Sequence, residues 1–279
     1  MPALGLHSFF GYSMEGAMGE LGVALIIEDD LDMRGLLEAV LGQAGFDVHT
    51  ASGGREGVQS VREISPDVVT LDIGLPDIDG FEVLRRIRQF STAYVVMLTG
   101  RDEEADVLAA LQGGADDYIT KPFRPREVRA RITAMMRRPR HSPPIADADT
   151  PRPAVQPVSP GPGNSTGVLR YNGLELDYRR RTASVQGTMV ELTRSEFELL
   201  HEVLQGAGAV LSRAELVRAV RGEQYRDNTY ISGADERAVE IHIGNIRRKL
   251  RDDPESPRWL ETVRGVGYRL PAQRTRASR

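Results

Sequence analysis

The first half of the 279-residue chain holds three short apolar runs, each ending in residues able to grip a cation or a phosphoryl group. Val23–Ile27 stops at Glu28-Asp29-Asp30, Val68–Leu71 at Asp72, and Tyr94–Leu98 at Thr99; Ala115–Thr120 leads into Lys121-Pro122-Phe123. Carboxylates brought to one edge repel each other unless a hard cation joins them, and Mg²⁺ takes oxygen ligands and is commonly shared with a phosphoryl group. One of the carboxylates could then attack a phosphoryl donor to form an aspartyl phosphate. A metal ion, an ammonium and a hydroxyl would steady the charge on the transferring oxygens. Lys121 stands out because Lys249 is the only other lysine among 36 basic residues. A compact ammonium suits a tight phosphoryl pocket better than a planar guanidinium fork, whereas an Arg would serve for Lys249. Simpler roles compete for several neighbours. Asp30 or Asp32 reads as a helix N-cap and Asp77 and Asp79 as turn formers before Gly80. Taken alone, Thr99 is a strand-end hydroxyl and Tyr118 a core aromatic; the order and spacing of the set point to chemistry.

The elements that must position these residues follow from periodicity. Met33, Leu36, Leu37, Val40 and Leu41 repeat as a helix stopped by Gly45, and Phe81, Leu84 and Ile87 mark another after the turn-rich 74–80. Strand-type runs alternating with helices predict an α/β domain with a doubly wound, five-stranded parallel sheet, flavodoxin-like in order. Ligands of such sheets bind beyond the carboxyl ends of the strands, where the polar residues fall.

The set Glu28-Asp29, Asp72 with Pro76 and Asp79-Gly80, Thr99, Tyr118 and Lys121-Pro122-Phe123 resembles that of response-regulator receiver domains, over about 21–138. The resemblance implies that Asp72 accepts phosphate from the phosphohistidine of a sensor histidine kinase. It implies Mg²⁺ held by Glu28, Asp29, Asp72 and the Gly74 carbonyl, with Thr99 and Lys121 on the phosphoryl oxygens. Thr99 and Tyr118 become the switch residues, and Lys121-Pro122 a cis bond. Asp116, Asp117, Glu127 and Arg131 fall on the face formed by the fourth helix, fifth strand and fifth helix, through which receivers dimerise on phosphorylation. Val107, Ala109 and Gln112 occupy positions that are usually charged there, which implies a weaker or differently paired dimer. Gly74 and Arg101 sit where phosphate lifetime is set.

Composition divides the chain. Eight of its sixteen prolines lie between Pro139 and Pro162, so 139–165 reads as a semi-extended linker without a core. The net charge of −4 conceals an acidic first part, with 14 basic and 22 acidic residues over 1–138, and a basic last part, with 20 and 16 over 166–279. That asymmetry suggests a cation–phosphate domain followed by a polyanion binder. The absence of cysteine excludes disulfides, Cys-ligated zinc and a thiol nucleophile. No apolar run reaches the ~18–20 residues of a membrane span, and the first 20 residues lack the basic start of a secretory signal. The expectation is a cytoplasmic protein without a membrane partner. It has a disordered extension over 1–20, the linker 139–165, a second domain over 166–272 and a basic tail over 273–279. So long a linker predicts domains coupled mainly by dimerisation and effective concentration.

In the second part, 169–176 and 182–185 alternate like short antiparallel strands. Thr193 with Glu196, and Ser212 with Glu215, form capping boxes that each open a helix. A third helix over 236–251 has a buried seam of Val239, Ile243, Ile246 and Leu250, and an opposite side with Arg237, Ile241, Gly244, Asn245 and Arg248. A hairpin follows, with Arg264-Gly265-Val266-Gly267 at its turn. The strings RAVEIHIGNIRRKL and ETVRGVGYRL closely resemble the α+β winged helix-turn-helix domain of OmpR/PhoB-type response regulators. The resemblance implies double-stranded promoter DNA, in tandem half-sites, as the partner of a dimer. Arg237, Asn245 and Arg248 become base-edge or backbone candidates, Arg247 and Arg251 phosphate candidates, and Arg264 the wing contact. The loop 222–236, longer than the family's usual one, falls where RNA polymerase is often contacted, and Gly244 replaces a frequently polar reader.

Two other readings compete. An aspartyl-phosphate phosphatase would want a second Asp two residues after Asp72, where Gly74 stands. An atypical receiver acting without phosphorylation is disfavoured by the complete set of pocket residues. A P-loop and a HExxH zinc site are absent from the sequence. The expectation is therefore a regulator, not an enzyme beyond its own phosphoryl transfer and dephosphorylation.

Overall fold

The computed structural model describes residues 21–100, 104–136, 167–221 and 231–272. The expected extension, linker and tail, Arg101 and residues 222–230 of the long loop lie outside them.

Five parallel strands, β1 (Gly22–Ile27), β2 (Phe46–Ala51), β3 (Val68–Asp72), β4 (Tyr94–Thr99) and β5 (Asp117–Thr120), form a sheet in the order β2-β1-β3-β4-β5. The helices α1 (Leu31–Ala44), α2 (Gly54–Ile64), α3 (Gly80–Ile87), α4 (Glu104–Gln112) and α5 (Pro125–Met136) alternate with them. This is the expected flavodoxin-like winding. Alternation sends successive side chains to opposite faces. Ala24 and Ile26 pack with Leu37 and Leu41 of α1 and Val128 and Ile132 of α5, whereas Leu25 and Ile27 pack with Val61 of α2 and Val83, Leu84 and Ile87 of α3. With helices on both faces, β4 is buried throughout, which is why its sequence is continuously apolar. The carboxylates assigned to local structure act there. Asp30 caps α1 by accepting from the Met33 N–H at 2.8 Å, and Asp79 caps α3 by accepting from the Glu82 N–H at 2.8 Å. Asp77 accepts from the Gly54 and Arg55 N–H groups at the start of α2.

The C-terminal half begins with an antiparallel sheet of β6 (Val168–Tyr171), β7 (Leu174–Asp177), β8 (Thr182–Val185) and β9 (Thr188–Val190). It continues with α6 (Arg194–Gln205), β10 (Leu211–Ser212), α7 (Arg213–Arg221), α8 (Gly233–Leu250), β11 (Glu261–Val263) and β12 (Gly267–Arg269). Strands β10, β12 and β11 make a small sheet whose β11–β12 hairpin is the wing, completing the expected winged helix-turn-helix. Both capping boxes form: the Thr193 and Ser212 N–H groups donate to Glu196 and Glu215, each within 2.8 Å. The seam of α8 enters a core with Trp259, Leu199, Leu200, Leu216 and Tyr268. Helix α8 starts three residues earlier than expected, because Ser232 and Asp235 form a further capping box.

Lys249 is less replaceable than its place at the helix edge suggests. Its Nζ lies 2.6 Å from Oε2 of Glu196, a residue with no exposed surface. Lys249→Met should destabilise this core by about 3 kcal/mol, since a buried carboxylate loses its charge partner. Trp259 is the chain's single tryptophan and is fully buried in that core, so its fluorescence during urea unfolding measures the loss.

The expectation that the domains communicate mainly through dimerisation is corrected by direct packing. Helix α8 lies on α4, and α7 on α5.

Candidate phosphoacceptor site and DNA-binding surface

Strand register brings the chemistry-bearing residues together. Ile27 pairs with Leu71, Asp72 with Leu98, and Thr99 with Thr120. Glu28, Asp72, Thr99 and Lys121 therefore leave their strands at one end of the sheet, beside the point between β1 and β3 where the strand order reverses. Lys121 Nζ donates to Asp72 Oδ1 at 2.7 Å and to Glu28 Oε2 at 2.8 Å. Oδ2 of Asp72 accepts the Gly74 N–H at 3.0 Å. Arg34 fixes the backbone beneath by donating to the carbonyls of Glu28 and Asp29. Gly80 is demanded by closeness: a Cβ there would stand 2.3 Å from the Asp72 carbonyl oxygen. That contact seats the start of α3 against the end of β3.

Electrostatics mark the site as a cation's place. One carboxylate oxygen from each of Glu28, Asp29 and Asp72 lies within 4.8 Å of the others. Burial pushes the Glu28 carboxyl above its ordinary range; Lys121 pulls it back, and Asp72 and Asp29 push it further up. Lys121 is itself raised: burial opposes its charge, but its bonds to Asp72 and Glu28 prevail. Three oxygen donors with excess negative charge fit a hard divalent cation such as Mg²⁺. Gly74, the fourth expected ligand, is exposed beside them, and Thr99 is buried. The Lys121-Pro122 bond is cis, as expected. Tyr118 is half-buried, and burial raises its hydroxyl pKa, with Asp117 and Asp235 adding to the rise.

The four residues expected on a dimer face stand at β5 and on α5 and are engaged by partners within the chain. Asp116 Oδ2 accepts from Arg88 at 2.7 Å, while its Oδ1 accepts the Ser195 N–H of α6 at 2.8 Å. Asp117 lies 3.2 Å from Arg131 and 3.3 Å from Arg221 of α7, and Arg131 also pairs with Glu127. No local pattern announces these partners: Arg88 lies 28 residues from Asp116, and Ser195 and Arg221 stand in the other domain. Burial raises the Asp117 pKa, but Arg221 and Arg131 outweigh it, and the net shift is downward. A depressed carboxylate stabilises the fold fully above its unfolded pKa and loses that contribution as pH falls through the folded value. Docking of the two domains should therefore loosen in acid below the ordinary carboxylate range, read as hydrogen exchange rising in α7 before the sheet core.

The expected DNA-contacting residues separate into groups. Arg237 and Arg248 of α8, Arg251 at its C-cap and Arg264 of the wing are exposed. Gly265, with φ of +74°, allows the turn beside Arg264. Arg247 instead folds back onto its own domain, donating to the Leu260 carbonyl at 2.8 Å and Thr262 Oγ1 at 2.7 Å. Asn245, expected on an open face, is buried, its Nδ2 donating to the Leu111 carbonyl of α4 at 2.9 Å.

Among the described residues, no helix is long and apolar enough to cross a membrane. Residues 24–133 match the response regulator receiver domain, and 187–270 the C-terminal domain of transcriptional regulatory proteins. The transcriptional regulatory protein AfsQ1 of Streptomyces coelicolor is 37% identical over 88% of this chain and 96% of its own length. The probable transcriptional regulator ycf27 of Guillardia theta is 35% identical over 88% of each chain. A solved structure of a RitR mutant shares the fold with a TM-score of 0.65, at 22% identity over 89% of this chain and 98% of its own. The chain belongs to the OmpR/PhoB-type response regulators, two-component transcriptional regulators that join a receiver domain to a winged-helix DNA-binding domain.

Proposed function

We propose that the chain is switched by phosphorylation of Asp72. A carboxylate oxygen of Asp72 attacks the phosphorus of a sensor kinase's phosphohistidine; the P–O bond forms as the P–N bond breaks, and the imidazole leaves with the electron pair. Lys121 carries this reading. Its ammonium touches Asp72 and Glu28 together, so it orients the nucleophile and lies where negative charge gathers on the arriving group. Bound Mg²⁺, held by Glu28, Asp29, Asp72 and the Gly74 carbonyl, would supply the positive charge that lets two anions meet. Thr99 offers its hydroxyl to a phosphoryl oxygen, and with Tyr118 relays the change to the face of α4, β5 and α5. Water attack on phosphorus restores the carboxylate, so the only covalent chemistry is the chain's own modification and its reversal. Incubation with acetyl phosphate and Mg²⁺ tests this: incorporation on Asp72 is expected, and its absence would contradict the reading.

The phosphorylated chain then acts in the cytoplasm as a dimer on tandem promoter half-sites. Helix α8 lies in the major groove with Arg237, Asn245 and Arg248 toward bases or backbone, Arg251 toward phosphate and Arg264 in the minor groove. Arg247, already bonded to the wing, positions the hairpin against α8. RNA polymerase is the natural partner of the loop after α7. Arg264→Ala should weaken duplex binding and reduce the slope of log K against log salt by about 0.9, one phosphate contact. An unchanged slope in a fluorescence-anisotropy salt series would remove the wing from the interface.

A further inference from the structure

We propose, building on the phosphoacceptor reading above, that Asp77 is a positioning residue for the cation site. It clasps the loop that carries Gly74 to the start of α2, and so sets where the Gly74 carbonyl stands. Asp77 Oδ1 accepts the Gly54 N–H at 2.7 Å, and its Oδ2 accepts the Arg55 N–H at 2.9 Å. Helix α2 takes no cap from its own flank, because its N-cap is Gly53, which has no side chain to offer. Free N–H groups of its first turn are instead met by a carboxylate 23 residues away, in the loop between β3 and α3.

The bond matters more to the loop than to the helix. The helix has other anchors. Glu56 Oε2 accepts from the Ser52 N–H at 2.8 Å and from its hydroxyl at 3.0 Å. Gly57 lies so close to Ile27 that a Cβ would stand 2.5 Å from it, and Val61 shares a core with Ile27. In the loop, Leu75 and Ile78 pack against that same core. Among the described residues, however, 74–78 reaches beyond itself by hydrogen bonds only at Gly74, whose N–H donates to Asp72 Oδ2 at 3.0 Å, and at Asp77.

The clasp acts on Gly74 because the chain between them is short and stiff. Leu75 and Pro76 alone separate Gly74 from Asp77. The proline ring fixes its own φ and holds the residue before it to extended conformations. A displacement of Asp77 is therefore carried back to Gly74 rather than absorbed on the way. Glycine lets the two segments meet: a Cβ at Gly54 would stand 2.6 Å from Cγ1 of Ile78. Glu28, Asp29 and Asp72 can each adjust to a cation by turning a side chain, whereas the Gly74 carbonyl moves only with the backbone.

Three variants of the full chain separate this role from general support of the fold. Asp77→Ala removes both bonds. Asp77→Asn keeps one oxygen that can accept an N–H. Glu56→Ala removes a negative charge and the Ser52 bonds at the same helix start, but leaves the bonds of Asp77 in place. Isothermal titration should give D77A an Mg²⁺ affinity about tenfold weaker than the parent's, as for the loss of a group that orients a metal ligand. D77N should fall between the two, and E56A should match the parent. In acetyl phosphate labelling, D77A should need about tenfold more Mg²⁺ for its half-maximal rate. At saturating Mg²⁺ its rate should return to within about twofold of the parent's, because Asp72 and Lys121 are untouched. Unchanged Mg²⁺ affinity in D77A would overturn the proposal and leave the phosphoacceptor reading standing. Equal weakening in E56A would also overturn it, since lost charge or lost helix support would then suffice. If the parent itself binds no Mg²⁺ and takes up no phosphate, the phosphoacceptor reading fails and the clasp falls with it.

Discussion

Asp72→Asn is expected to abolish phosphoryl transfer to the chain, from a kinase or from acetyl phosphate, while leaving the fold intact. The amide keeps the shape and can still accept from Gly74, whose N–H lies 3.0 Å from the present carboxylate. It lacks the anionic oxygen that attacks phosphorus, so the loss is one of chemistry rather than of structure. It also leaves Lys121 paired with Glu28 alone, and one negative charge fewer in a site where carboxylates crowd each other. A thermal transition within a few degrees of the parent, with incorporation at background, is the expected pair of observations. Substantial labelling of the variant would place the acceptor elsewhere.

Lys121→Ala should have the second-largest effect, slowing phosphoryl transfer by about 10²–10³-fold, the range for removing one preorganised charge donor. Mg²⁺ affinity should move the opposite way. The ammonium now occupies oxygens of both Glu28 and Asp72, so it competes with a cation for them. Isothermal titration should show Mg²⁺ binding K121A at least as tightly as the parent, while transfer at saturating metal stays slow. Lys121→Arg should not restore the rate, because a planar fork cannot take the place of a compact ammonium wedged between two carboxylates. Weakened metal binding and slow transfer together would show that Lys121 serves the site's architecture instead.

The pocket was legible because each of its members ends a strand, and strand ends are visible as apolar runs meeting a polar residue. Parallel register then does the assembly without further information: Ile27 beside Leu71 puts Glu28 near Asp72. The seam of α8 was legible for the same reason, being a periodicity within one element. What escaped depends on surfaces distant in sequence. Asn245 was expected to face outward, and nothing in the helix shows that the Leu111 carbonyl, 134 residues away, receives its side chain. The role of Lys249 depends on Glu196, 53 residues away. Nothing near Asp116 or Asp117 in sequence shows that Ser195 and Arg221, 79 and 104 residues away, are among their partners. Two further features are short-range and legible in principle: the Asn172-Gly173 turn, with φ of +47° and +79°, and the Ser232–Asp235 cap follow local rules.

The most direct test of the account is to find where the phosphoryl group goes. The full chain, treated with acetyl phosphate and Mg²⁺, would be reduced with borohydride, which converts an aspartyl phosphate to homoserine, and then mapped by peptide mass spectrometry. The account predicts homoserine at position 72, dependent on Mg²⁺ and absent without phosphoryl donor. Homoserine at another aspartate, or a phosphorylated chain with position 72 unchanged, would contradict it.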